Sequence, residues 1–201
     1  TFTVTSTETL ADTPTSTPSP TTTLTVAERM IISGDLYFSG SLTQGQQISL
    51  YESSIQYISP TTKQSKIIGE AINGVGYGSP TLICGPLSLA IMQGAGLIEY
   101  PDVIPYDFWL LNPYISKDRT LLNRVFPEEK YENTLFKTPL NEFNWRAYPL
   151  YPGDFLFIRH GTGGNFDHML VVNRVDSLGR VYAVTNYYTA DGYIINEVVR
   201  Y

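Results

Sequence analysis

The spacing of apolar positions changes twice along this chain. Short apolar clusters come first: Ile31-Ile32, Leu36-Tyr37-Phe38 and Ile48-Ser49-Leu50-Tyr51, separated by Gly34, Gly40 and Gly45. Their brevity predicts strand-like pieces in a small β-layer or hairpin over residues 26–59. From Pro60 to about Asn73 the spacing becomes helical, through Ile67, Ile68, Ala71 and Ile72, and Asn73-Gly74 supplies the stop. A turn at Gly78-Ser79-Pro80 then leads to Cys84-Gly85-Pro86 and an apolar run to about Leu97, which reads as a buried helix. Residues 100–150 lose periodicity, with one helix predicted around Asp118–Phe126 and aromatics that mostly cover core. A loop-rich stretch this long inside a compact domain is usually functional. Beyond it, Phe155–Arg159, His168–Val175, Val181–Thr185 and Tyr193–Arg200 are β-rich. The connections between them are short enough for antiparallel pairing. Helices first and an antiparallel sheet later predict an α+β domain.

The first 25 residues have a different character. Thr, Ser and Pro dominate, as in Thr13-Pro14-Thr15-Ser16-Thr17-Pro18-Ser19-Pro20, and such a stretch cannot bury enough apolar surface to offset its ordering entropy. It reads as a semi-rigid linker or tether of the kind found between an anchor and an exported domain. A start at Thr1 without a signal peptide reads as an excised or mature piece, so an upstream anchor or domain and an extracellular or cell-surface location are expected.

Composition narrows the function classes. The chain has 201 residues with 42% hydrophobic content, enough for one full-sized core. A formal net charge of −6 argues against a nucleic-acid partner, since no basic stripe is present to neutralise phosphates. No apolar run approaches the roughly 20 residues of a membrane span. One cysteine and two histidines cannot make a disulfide or a thiolate-rich zinc site, and no metal or other cofactor is expected.

That one cysteine stands where a nucleophile would stand. Pro86 suits the first turn of the helix after it, where its missing N–H costs nothing. The sulfur then lies at the helix N-terminus, where free N–H groups and the dipole favour a thiolate. Most lone cysteines are simply small buried hydrophobes, so partners decide the reading. His168 follows a glycine-rich turn and opens an apolar strand, which lets the sheet hold it facing the cysteine helix as general base. His160, at the mouth of the same loop, is the weaker candidate. Asn186, at the end of the next strand, can orient the imidazole or simply close that strand as a turn residue. The oxyanion hole would join the Cys84 N–H to an upstream side-chain donor such as Ser79. Gly161-Thr162-Gly163-Gly164 lacks the lysine and the strand-to-helix setting of a phosphate loop and reads as a hairpin turn.

Tyr77-Gly78-Ser79 before Cys84, the helix after it, Tyr151-Pro152-Gly153-Asp154 entering an apolar strand, and Asp167-His168-Met169-Leu170-Val171-Val172 occur in that order. Together they resemble the papain-like cysteine peptidase superfamily, closest to its NlpC-type and CHAP-like bacterial cell-wall hydrolases. The likeness spans about residues 60–201. It implies a papain-like catalytic domain there, with the Cys84 helix packed on an antiparallel sheet bearing His168. It also implies Cys84, His168 and Asn186 as catalytic residues, with Thr185 facing the other way, and Tyr77 as the first oxyanion candidate. The implied substrate is peptidoglycan or another peptide, cut at amide bonds. Two departures stand out. The cell-wall enzymes usually carry Asp-Cys-Ser-Gly, whereas Ile83-Cys84-Gly85-Pro86 is closer to the bacteriocin-leader peptidases, which keeps a leader or protein peptidase open as an alternative. A catalytically silent binding module on the same scaffold is a third reading. His160-Gly161-Thr162 is similar to a motif of L,D-transpeptidases, but there the cysteine follows it, and Cys84 precedes it.

Overall fold

The computed structural model of the protein describes residues 23–73, 83–98, 108, 111, 115–139, 142–159 and 166–200. Among these, five helices precede two small antiparallel sheets, a mixed α+β arrangement. The helices are α1 (Val26–Ser33), α2 (Gln44–Ile55), α3 (Thr62–Asn73), α4 (Cys84–Gly94) and α5 (Ser116–Val125). The strands are β1 (Phe155–Arg159), β2 (Phe166–Val171), β3 (Arg174–Val175), β4 (Val181–Thr189) and β5 (Gly192–Arg200).

Residues 26–59 correct the expectation of a β-rich element, because α1 and α2 occupy them. Each helix begins with a capping box. The Thr25 hydroxyl accepts from the Glu28 N–H while the Glu28 carboxylate accepts from the Thr25 N–H, and Thr43 and Gln46 repeat the exchange. Reciprocal caps satisfy two otherwise orphaned donors and favour helix over strand at both positions. Gly45 therefore lies inside a helix. Leu36 and Tyr37 form no hairpin; Tyr37 instead makes an isolated bridge to Val175.

Strands β1 and β2 pair as one sheet, while β3, β4 and β5 form the other in that order. The sequence-predicted strand over 168–175 is split, since the chain leaves β2 at Val171 and enters the second sheet at Arg174. The hairpin between β4 and β5 is tighter than expected, turning through Ala190 and Asp191 alone. Ahead of β1, the Pro152-Gly153 turn closes with a hydrogen bond from the Asp154 N–H to the Tyr151 carbonyl. Gly153 has φ 95°, the left-handed geometry that favours glycine after proline in such a turn. The Asp154 carboxylate accepts from the Tyr151 N–H at 2.8 Å, and burial pushes its pKa up against that bond.

Helix α4 is the centre of the core. Every residue from Gly85 to Met92 is buried, as a helix apolar all round must be. It packs on α2, α3, β2 and β4. The Ser53 hydroxyl of α2 donates to the Ile91 carbonyl at 2.8 Å. Opposite, Met169, Val171, Val184 and Ile195 close the same apolar cluster.

The second sheet is tied to the helices by a buried polar network. Arg174 donates to Glu197 through Nε at 2.8 Å and Nη2 at 2.5 Å, and to the Asp35 carbonyl at 2.6 Å. Its guanidinium lies 3.3 Å from the Tyr182 ring centroid. Asn173 joins Glu197 to Ser54 of α2. Charges buried to this degree require such partners.

Candidate active site

Cys84 is the first residue of α4, as its turn-then-helix context predicts. The helix has no side-chain cap, and Pro86 occupies its first turn. Gly85 lets that turn approach the sheet. A Cβ at this position would stand 2.7 Å from the Met169 sulfur and still closer to the Phe108 carbonyl oxygen. The small residue after the cysteine is thus demanded by space, because Phe108 and Met169 press on it from two sides.

The sulfur itself meets β2. The main-chain groups of Met169, Gly85 and Cys84 lie close enough to lower its pKa. α4 packs on β2, the strand that carries His168. The approach differs from expectation in one respect. The Met169 side chain turns towards α4, and strand alternation turns the His168 side chain the other way. Cys84 meets the edge of β2 and not the face that carries the imidazole.

The state of the thiol also departs from expectation. Burial pushes its pKa up, and the main-chain groups of Met169, Gly85 and Cys84 pull it down by less. Desolvation of a thiolate outweighs the main-chain donors. Burial therefore works against the thiolate that the helix N-terminus alone suggests.

The imidazole has a partner on the second sheet. Nε2 of His168 lies 3.1 Å from Oγ1 of Thr185, a residue 2% exposed. Thr185, expected to face the other way, is thus a residue that meets the imidazole. The β4–β5 pairing runs without a bulge, Thr185 opposite Asn196 and Asn186 opposite Ile195. Val184 and Ile195 are core residues on the helix side, so Asn186 shares their face and Thr185 the opposite one. Asn186 is buried at 4% exposure, consistent with a place against the helical layer. Four consecutive buried residues, Ala183 to Asn186, leave no alternation in polarity to read, which is why the sequence could not set this parity.

Tyr77, Ser79 and His160 lie outside the described residues, so the oxyanion candidates and the alternative base have no geometry here. Among the described residues, no three His, Cys, Asp or Glu side chains group as metal ligands, and no helix is long and apolar enough to cross a membrane. No protein-family model matches the chain, and neither a curated protein nor a solved structure shows significant similarity to it.

Proposed function

We propose that the protein is a papain-like thiol hydrolase that cleaves amide bonds, most naturally those of peptidoglycan stem peptides outside the cytoplasm. The observation that supports this reading is Cys84 at the first position of α4, a helix that packs on β2, the strand carrying His168. In the reaction, His168 takes the thiol proton as the Cys84 sulfur attacks the carbonyl carbon. The C–N bond breaks, the amine leaves with the proton returned by His168, and a thioester remains. Water then attacks the thioester, His168 taking its proton, and the restored thiol leaves. The net change is amide plus water to acid plus amine. The Cys84 N–H at the start of α4 would serve as one donor for the developing oxyanion.

A second reading, a catalytically silent binding module, is favoured by one observation: burial pushes the Cys84 thiol up. One experiment separates them. Purified protein is incubated with peptidoglycan and with an unfolded polypeptide, and new termini are read by mass spectrometry. The hydrolase reading expects amine release from peptidoglycan, unaffected by EDTA and lost in Cys84→Ala and His168→Ala. Cleavage of the polypeptide with peptidoglycan untouched would select the protein-peptidase alternative. No turnover of either substrate, with Cys84 alkylated equally fast in wild type and His168→Ala, would leave the binding module.

A further inference from the structure

We infer that Thr185 is the positioning residue of His168, holding the imidazole through a neutral hydroxyl in the place where a thiol hydrolase needs an orienting group. The inference rests on the hydrolase reading and adds to it the identity of that group. Three observations carry it. Thr185 Oγ1 lies 3.1 Å from Nε2 of His168. Thr185 is buried, so water does not compete freely for the bond. The unbroken β4–β5 register places Asn186, the other polar residue at this strand position, on the opposite face.

The chemistry follows from which ring nitrogen is engaged. On the hydrolase reading, with Nε2 bonded to Thr185, the imidazole would take the proton of Cys84 on Nδ1, the nitrogen nearer the histidine's own main chain. Nδ1 can accept only in the tautomer that carries hydrogen on Nε2, and in that tautomer Nε2–H donates to the Thr185 oxygen. Once Nδ1 is protonated, Nε2–H still donates to the same oxygen. The Thr185 contact therefore persists through the whole proton cycle with no flip. A hydroxyl carries no charge, so it stabilises the imidazolium less than a carboxylate would. Such an orienter suits a histidine that acts as a base only when substrate is attacked.

The test compares Thr185→Val, which keeps shape and removes the hydroxyl, with Thr185→Ser, which restores it. In nitrogen-15 NMR of the wild type near pH 8, the His168 side-chain signals should report the Nε2–H tautomer, with an Nε2-bound proton slow enough in exchange to be seen. Thr185→Ser should keep that proton signal and Thr185→Val should lose it. In parallel, the rate of Cys84 alkylation by iodoacetamide at pH 7 should fall roughly tenfold in Thr185→Val, the loss of one positioning hydrogen bond, and stay within about twofold in Thr185→Ser. Amide proton spectra of each variant show whether it is folded. A Thr185→Val protein that keeps the protected Nε2–H, or keeps its alkylation rate while His168→Ala loses it, overturns the assignment of Thr185 alone. An alkylation rate indifferent to His168→Ala overturns the hydrolase reading instead, while the NMR comparison still decides the hydrogen bond.

Discussion

Replacing Gly85 by alanine sets two effects of opposite sign against each other. Helix propensity alone favours alanine inside a helix by up to about 1 kcal/mol. Against it, the new Cβ would stand 2.7 Å from the Met169 sulfur and closer still to the Phe108 carbonyl oxygen. The sulfur ends a flexible side chain and can shift, but the carbonyl belongs to the backbone beside a fully buried ring. Overpacking of this kind costs about 1–3 kcal/mol, and an unyielding backbone partner puts Gly85→Ala in the upper half, about 2–3 kcal/mol. The difference is a net loss of about 1–2 kcal/mol, with the steric cost winning over propensity. For a chain of this size each kcal/mol moves the melting temperature by about 2–4 °C, so a fall of about 2–8 °C is expected. Urea denaturation gives the free energy directly, and the alkylation rate of Cys84 reports whether the start of α4 has moved from the Met169 amide. A Gly85→Ala protein more stable than wild type by about 1 kcal/mol, the value from propensity alone, would refute the close packing of α4 on Phe108 and β2.

Two further perturbations test other parts of the account. The folded thiol of Cys84 has a raised pKa, so the folded state holds its proton more tightly than the unfolded chain does. Stability from this group is complete below the ordinary thiol pKa of about 8.5 and declines as pH rises through and above it. Wild type should therefore lose stability between about pH 8 and 10 more steeply than Cys84→Ala in matched urea titrations, and parallel slopes would show the thiol to be unperturbed. Glu197→Ala leaves the Arg174 guanidinium, 6% exposed, without its carboxylate. The Asp35 carbonyl and the Tyr182 ring remain, so the cost should fall near the low end for breaking a buried pair, about 3 kcal/mol. Glu197→Gln should lose less, and a urea midpoint unchanged in Glu197→Ala would mean the pair contributes nothing.

Local rules made much of this protein legible from its sequence. A proline in the first turn, preceded by turn residues and followed by an unbroken apolar run, marks a buried helix starting at Cys84, and α4 starts there. Pro152-Gly153 before an apolar strand marks a turn, and Gly153 adopts the positive φ that such a turn demands. Short connections dictate antiparallel pairing, and β1 with β2 and β4 with β5 pair so. The capping boxes at Thr25 and Thr43 were equally local, and weighing Thr-x-x-Glu and Thr-x-x-Gln above apolar clustering would have identified α1 and α2. The site was a matter of long-range packing. Whether Thr185 or Asn186 meets His168 depends on which face of β4 turns towards β2, and both residues are buried. A strand covered on both faces carries no alternation of polarity from which its parity can be read. The direction of the Cys84 pKa shift was hidden for a related reason. A helix N-terminus favours a thiolate wherever the chain places one, but how far the sulfur is desolvated depends on the tertiary burial of the start of α4.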